Sequence, residues 1–192
     1  DQEILSMNEL IELFSLEKCS KSGARFDYEK GKWFNHKYIQ MLSNEEVAAL
    51  FMPIVESKGV KTDLPTLTRI VALVKDRVSF IKDLWAQTAF FFVAPETYEE
   101  KSVKKRWKED TPAIMEELIV LLQNLPDFAS APSEKEVLGW IESKGYHLGN
   151  VMNAFRLAVV GECKGPHMFD ITEIMGREET IARIRKAIER IK

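Results

Sequence analysis

The sequence predicts an all-α fold of two consecutive helical bundles, preceded by a short helical segment. Apolar residues recur at three- and four-residue spacing along nearly the whole chain, and helix caps, Gly or Pro separate these runs. The regular short alternating strands that a β-barrel requires are missing. We therefore predict three parts, the helical segment in residues 1–42, a first bundle in 43–107 and a second bundle in 108–192.

Size and composition restrict the class of protein. A chain of 192 residues with 45% hydrophobic content can form packed cores. With 30 acidic and 27 basic side chains the net charge is −3, so a nucleic-acid partner would need basic residues gathered on one face. Two isolated cysteines and three histidines indicate neither a disulfide framework nor a zinc site.

The hydropathy and the first residues of the chain indicate its cellular compartment. No apolar run approaches the roughly 18 residues of a membrane span, and the first residues lack the basic and apolar pattern of a signal peptide. We therefore expect a soluble, cytoplasmic protein. The start at Asp1, directly on a helical pattern, suggests a piece of a longer chain.

The first segment should form two helices. Ser6 and Glu9 have capping-box spacing, which predicts a helix that starts at Met7 and ends before Cys19. Asp27 can then cap a second helix. The residues expected on the broad apolar face of that helix are Trp33, Phe34, Tyr38, Met41 and Leu42.

Several polar residues of this segment lie off the apolar face. A turn at Lys21 and Ser22, followed by Lys32, Asn35 and His36, offers donors suited to sugar and phosphate groups, contacts that carry no base information. Such residues are also ordinary on a solvated helix face, which the residues alone favour.

The first bundle should begin at a capping box of Ser43 and Glu46, with Pro53 kinking or splitting its first helix. The next apolar stripe runs from Leu67 to Ile81 and leaves Arg77 outside it. Residues 90–93 could form a strand by propensity, but no partner strand is evident, so we predict a buried helix end.

The second bundle follows a polar junction at residues 95–110, whose lysines we interpret as solvated helix surface rather than a site. Thr111 should be the N-cap of its first helix, with Pro112 at the first helical position, and Ser133 with Glu136 should cap the next helix.

A further helix, with Arg156 off its apolar stripe, should end at Gly161 before a Gly/Pro loop. Arg156 at this helix end, with Met168 and Phe169 beyond the loop, could hold an extruded base by hydrogen bonding and stacking. Such helix junctions are more often simply core.

Two stretches resemble a known family. The run FRLAVVG, which begins at Phe155, and GPHMFDITEIMGREETIARI after it are similar to the C-terminal end of bacterial glutamyl-tRNA synthetases. The stretch SKSGARFDYEKGKWFNHKYI, residues 20–39, resembles the part that follows their catalytic domain. The chain departs from the family pattern at Gly31, Gly165 and His167–Met168, which affects loop contacts before it affects the fold.

The resemblance implies a function in tRNA recognition. It implies that the parent chain attaches glutamate to tRNA(Glu) with ATP and Mg²⁺, and that this part holds no cofactor, metal site or catalytic residue, since neither signature motif of the catalytic domain is present. It implies tRNA(Glu) as the partner, no DNA or membrane partner, and a monomer. Arginine at position 77 is the form associated with enzymes that accept tRNA for glutamate and reject tRNA for glutamine. The residues implied to surround the anticodon are Arg77, Arg156, Pro166, Met168 and Phe169.

The same resemblance assigns a second set of residues, Ser22, Lys32, Trp33, Asn35 and His36, to the docking of the tRNA stem, although we expect Trp33 in the core. One rival interpretation is a helical scaffold that binds protein, which the net acidity favours. If Arg77, Arg156 and the basic side of the last helix lay on separate faces, the RNA interpretation would lose its surface. A second rival, the glutaminyl enzyme, reads its anticodon with β-barrels, which this chain lacks the strands to build.

Overall fold

The computed structural model describes residues 3–19, 22–23 and 25–191. Within these ranges the chain forms eleven α-helices and short 3₁₀ turns at Leu16–Lys18, Lys75–Arg77 and Ile81–Asp83, with no strand, so the all-α prediction is confirmed. None of these helices is long and apolar enough to cross a lipid bilayer. The helices are α1 (Met7–Leu13), α2 (Tyr28–Met41), α3 (Asn44–Ser57), α4 (Leu64–Val74), α5 (Leu84–Phe92), α6 (Glu100–Arg106), α7 (Thr111–Asn124), α8 (Ser130–Ser143), α9 (Leu148–Val160), α10 (Met168–Met175) and α11 (Arg177–Arg190).

Side-chain caps start several helices where the sequence predicts them. Ser6 accepts from the backbone N–H of Glu9, and the Glu9 carboxylate accepts from the Ser6 N–H, which completes a capping box before α1. An equivalent box precedes α3 at Ser43. The Asp27 carboxylate accepts from a backbone N–H in the first turn of α2.

Four predicted features of the helices differ from the structure. The predicted N-cap at Thr111 was wrong, because Asp110 is the N-cap of α7 and Thr111 is already its first helical residue. Helix α3 runs through Pro53 without splitting. Helix α4 ends at Val74, and a 3₁₀ turn replaces the rest of the predicted stripe. The predicted cap at Ser133 and Glu136 was wrong, because α8 already begins at Ser130 and buries Ser133. Proline is tolerated in a first turn, where backbone N–H groups lack helical partners, so Pro132 does not delay the start of α8.

Two hydrophobic cores lie side by side. The first is formed by α3 and α4 with the end of α2 and the start of α5, and includes Phe51, Leu67 and Leu84. The second gathers α7 to α11 around α9, and includes Phe91 from the end of α5. Helix α6 packs against α9, so residues before 108 contact the second core. The boundary at 107 and 108 stays a prediction. Packing does not divide the cores at one position of the chain, because Ile70 of α4 belongs to the second core together with Phe91 of α5.

The first segment packs less than predicted. The fully buried residue of α2 is Ile39, whereas Trp33 is 38% and Met41 69% exposed. The broad apolar face predicted for α2 is therefore wrong as a core face, and so is the expected burial of Trp33. Apart from Ile39 at its end, which joins the first core, the helix contacts the rest of the described chain mainly through the 3₁₀ turn at Lys75–Arg77.

A buried arginine ties the last helix to the others. Arg183 is 2% exposed, and its guanidinium donates to the carboxylate of Glu179 one turn earlier. It also donates to the carbonyl oxygens of Phe90 in α5 and Val159 in α9, over 2.5 and 3.1 Å. These carbonyls are among the last of their helices, where no helical N–H is available to them. Arg183 thus joins three helices at one point.

Candidate nucleic-acid interface

Arg156 is held in place by the loop that follows its own helix. It lies half-buried in α9, and its Nη1 donates to the carbonyl oxygen of Pro166 over 2.7 Å. Gly161 ends the helix in the left-handed conformation, with φ of 92°, and so turns the chain back toward Arg156. Gly165, with φ of 138°, lies so close that a Cβ atom there would be 3.2 Å from Nη1.

The second arginine, Arg77, approaches the first from the other bundle. Burial is the main cause that lowers the pKa of the Arg156 guanidinium. Cys163 nearby acts in the opposite direction, and the positive charge of Arg77 lowers the pKa further. Arg77 itself is exposed and forms no hydrogen bond or ion pair with the described residues. We call Arg77 and Arg156 the arginine pair, and its like charges make the site attractive to an anion.

Helix α2 fixes the turn that carries Arg77. The ammonium group of Lys75 donates to the carbonyl oxygen of Leu42, just past the end of α2, over 2.8 Å. One and two residues after Arg77, the carbonyls of Val78 and Ser79 accept from the side chains of His36 and Asn35. Because a carbonyl can only accept, Nδ1 of His36 must carry the proton in its 2.7 Å contact with Val78.

These contacts change the role predicted for Asn35 and His36. Both were expected to offer exposed donors to sugar and phosphate, yet both are partly buried and use donors on backbone carbonyls. They hold the 3₁₀ turn of Arg77 against α2. The sequence could not show this, because the partners lie 44 and 42 residues away.

Met168 and Phe169 do not form an open stacking surface. Each is 1% exposed, and the Phe169 ring meets Phe155 edge to face with centroids 6.3 Å apart. Pro166 is also buried and presents its carbonyl to Arg156. In this structure the hypothesis that an extruded base stacks on Met168 and Phe169 is wrong, because both side chains are buried in the second core. Met168 and Phe169 instead anchor the start of α10, directly after the loop, in that core.

The remaining residues assigned to the tRNA stem lie on the outer side of the first segment. Ser22 and Lys32 are exposed, and the ammonium group of Lys37 lies 5.8 Å from the centroid of the partly exposed Trp33 ring. Lys32 and His36 are four residues apart in α2 and therefore share a side of that helix. Ser20, Lys21 and Ala24 of the same stretch lie outside the described residues.

A polar junction that the sequence did not reveal connects the two bundles beside the arginine pair. Arg69 of α4 forms an ion pair with Glu173 of α10. The other carboxylate oxygen of Glu173 accepts from the backbone N–H of Ser130 at the start of α8 over 2.7 Å. Helix α4 leads into the turn of Arg77, and α10 follows the loop of Pro166. The junction therefore fixes the two elements that bring the pair together.

The arrangement of the arginine pair can hold an anionic group or the acceptor edge of a base. Planar guanidinium groups held by the protein can offer paired donors to one acceptor group. Of the last helix, Arg183 is internal and Arg190 donates to the carbonyl of Glu96 over 3.4 Å, so neither belongs to the pair. Within the described residues no group of His, Cys, Asp and Glu is arranged to hold a metal ion.

The chain is similar to proteins that are already known. A glutamate–tRNA ligase of Phocaeicola vulgatus is 59% identical over 192 residues, and one of Bacteroides thetaiotaomicron is 55% identical over the same length. The alignments cover 100% of this chain but 38% of each relative, so the chain spans well under half the length of these relatives.

A solved structure has the same fold. The crystal structure of a glutamate tRNA ligase from Elizabethkingia meningosepticum, in complex with its amino acid, matches with a TM-score of 0.94 and 42% identity, over 100% of this chain and 38% of that one. The family model of an anticodon binding domain matches residues 40–188. The resemblance found in the sequence is confirmed, and since the family model covers more than half of the chain, the protein belongs to the anticodon-binding domain family of the kind found in glutamate–tRNA ligases.

Proposed function

We propose that this chain binds tRNA(Glu) and that the arginine pair reads its anticodon. The observation that carries the proposal is that the Arg69–Glu173 ion pair joins α4, which leads into the turn of Arg77, to α10, which follows the loop that holds Arg156. The electrostatic effect of Arg77 on Arg156 is consistent with this arrangement. Because the net charge of the chain is −3, binding of RNA requires basic residues gathered on one face, and the arginine pair places two such residues together. The lack of an ion-pair partner for Arg77 among the described residues leaves its donors available to a ligand.

The two arginines differ in how they can act. Arg156 already donates from one nitrogen to Pro166, which fixes the plane of its guanidinium and leaves other donors for a base. Arg77 sits on a turn held by α2 but is itself exposed, so its full fork is open to a base edge. A good bidentate base contact discriminates by about 1–3 kcal/mol.

In a parent enzyme of the length of the relatives, this part would select the RNA while other residues perform the reaction. We propose that the parent is a glutamate–tRNA ligase that uses ATP and Mg²⁺ and works in the cytoplasm as a monomer. The names of the relatives support the activity. The chain alone should then bind tRNA without forming glutamyl-adenylate, which glutamate-dependent pyrophosphate exchange would detect.

The test is binding of the chain to tRNA(Glu) and tRNA(Gln) at two salt concentrations. Arg77→Gln should narrow the affinity ratio between the two RNAs roughly fivefold or more, in line with one lost base contact. Arg77→Lys keeps the charge but loses the planar fork, so it should also narrow the ratio while largely keeping the salt dependence. Lys104→Ala, at an exposed position of α6, serves as the control and should change both affinities alike.

Two outcomes would reject the proposal. If the ratio is unchanged in Arg77→Gln, Arg77 does not read a base. If the unaltered chain binds neither RNA at low salt, the rival interpretation as a protein-binding scaffold is the better one, and the exposed apolar residues of the first segment would be its surface.

A further inference from the structure

A second concave site lies away from the arginine pair, between the end of α6 and the starts of α7 and α9. It is a cavity of about 270 Å³. Arg106 and Lys108 contribute cationic side chains to its wall, and His147 contributes an imidazole. Arg106 forms no hydrogen bond or ion pair with any residue that the structure describes. A cavity lined by an uncompensated guanidinium and further donors is suited to an anion.

The histidine of the cavity has a defined donor. Its Nδ1 accepts from the backbone N–H of Asn150 over 3.3 Å, as the N-cap of α9. A nitrogen that accepts carries no proton, so the proton of the neutral ring is on Nε2. His147 therefore brings a hydrogen-bond donor to the cavity wall without needing to be charged.

Two helix starts add to the positive potential of the cavity. Helices α7 and α9 both begin at it, and the first N–H groups of a helix carry partial positive charge. One carboxylate, that of Asp110 at the N-cap of α7, opposes an anion there. Arg106, the imidazole donor and the two helix starts act against this carboxylate, and so does the charge of Lys108, whose ammonium group also donates to the carbonyl oxygen of Lys104 over 2.8 Å. The Asp110 side chain makes no capping hydrogen bond, so it can be changed without removing a cap.

The cavity and the arginine pair face different ways. Ala154 of α9 lines the cavity, and Arg156 follows two residues later in the same helix. Two residues correspond to a rotation of about 200° around a helix of 3.6 residues per turn. An anion in the cavity is therefore separated by α9 from anything bound between Arg77 and Arg156.

We propose that this cavity binds a phosphate group, supplied by the sugar-phosphate backbone of RNA or by a small phosphate ester. Arg106 and Lys108 supply charge, and His147 supplies a neutral donor. The partly exposed apolar side chain of Ile114 lines the same cavity and is available to contact the organic part of the ester. This site does not depend on the arginine pair, so either proposal can fail without the other.

The experiment measures binding of inorganic phosphate and of glycerol phosphate to the whole 192-residue chain, by calorimetry and by ³¹P line broadening. Arg106→Gln should weaken the affinity roughly tenfold or more, as expected for loss of a charge-assisted hydrogen bond. Asp110→Asn removes the opposing charge and should tighten binding. Lys101→Gln, on the same helix as Arg106 but outside the cavity, is the matched control and should leave the affinity unchanged.

The two sources of phosphate are separated with tRNA. If the RNA backbone occupies the cavity, Arg106→Gln also lowers tRNA affinity and reduces its salt dependence, while the ratio between tRNA(Glu) and tRNA(Gln) stays the same. If a small ester is the ligand, tRNA affinity is unchanged and glycerol phosphate binding is lost. Absence of phosphate binding at millimolar concentration, or equal affinity in Arg106→Gln and the unaltered chain, would overturn the proposal.

Discussion

Nη1 of Arg156 donates to the carbonyl oxygen of Pro166 over 2.7 Å, so the loop after α9 holds a side chain of the helix that precedes it. A half-buried guanidinium with one donor fixed has fewer orientations to lose when it binds a partner. The loop can approach this closely because Gly165, at φ of 138°, has no side chain to place between its backbone and Arg156. The orientation of Arg156 in the arginine pair thus depends on Gly165, which has no side chain of its own to offer a ligand.

Gly165→Ala should reduce both stability and RNA discrimination. A Cβ there would be 3.2 Å from Nη1 of Arg156 and 3.8 Å from the Ile171 side chain, and its backbone angle is rarely adopted by alanine. We expect a loss of about 1–3 kcal/mol in the free energy of unfolding. The affinity ratio between tRNA(Glu) and tRNA(Gln) should fall as well.

Gly139→Ala is the matched control for this change. Gly139 lies inside α8, and a Cβ there would have no neighbour within 4 Å. Alanine should stabilise the helix by roughly 0.5–1 kcal/mol and leave the RNA ratio unchanged. Urea denaturation and RNA titration of Gly165→Ala and Gly139→Ala test these two expectations. Equal stability changes in the two variants would show that the conformation of Gly165 is not required.

Arg183→Met should be among the most destabilising changes of a single charged residue in this chain. The methionine fills part of the volume but leaves the carbonyls of Phe90 and Val159 without their donor inside the second core. We expect a loss of about 2–4 kcal/mol in the free energy of unfolding. Arg185→Met, exposed on the same helix, should stay within about 0.5 kcal/mol. Thermal and urea unfolding distinguish the two, and similar effects would contradict the role of Arg183.

Asp63 gives the stability of the first bundle a dependence on acid pH. A backbone hydrogen bond from Thr66 is the main cause that lowers the pKa of the Asp63 carboxyl, and the Thr66 side chain adds to it. A lowered folded-state pKa means that this stabilisation is complete at neutral pH and is lost as the pH falls through that pKa, below about pH 4.

Asp63→Asn should separate the cap from its charge. Asparagine still caps a helix, so the urea midpoint at neutral pH should change little. On acidification the unaltered chain should lose more stability than Asp63→Asn, because only the aspartate takes up a proton. Parallel urea titrations at neutral and acid pH measure this difference, and identical acid sensitivity of both proteins would rule out Asp63 as a contributor.

Local signals in the sequence predicted the helices well, and long-range contacts account for most of what it missed. Caps at Ser6, Asp27 and Ser43 depend on residues three positions apart, so their spacing is visible in the sequence. Periodicity placed Arg77 and Arg156 off the apolar stripes, and it could not tell a surface face from a core face in α2, because that depends on which elements lie nearby. The burial of Arg183 had only a faint signal, the flanking Thr180 and Ala187 of the same buried face.

Asn35 and Lys32 have different roles in the fold. Both belong to α2 and both were assigned to the tRNA stem, but the Asn35 amide donates to the carbonyl of Ser79, two residues past Arg77, and Lys32 is exposed. Asn35→Ala should release the turn that carries Arg77 and cost about 1 kcal/mol of unfolding free energy. Because Arg77 would then sample more orientations, the ratio between tRNA(Glu) and tRNA(Gln) should narrow.

Lys32→Ala should act in the opposite way. An exposed lysine that meets phosphate attracts any strand, so its loss should weaken both RNAs equally, reduce the salt dependence of binding by about one phosphate contact, and leave stability unchanged. Titrations of both variants with both RNAs at two salt concentrations, with urea midpoints measured alongside, separate a positioning residue from a phosphate contact. The opposite result would contradict these roles: Asn35→Ala would lower the affinities for tRNA(Glu) and tRNA(Gln) equally, and Lys32→Ala would change the ratio between them.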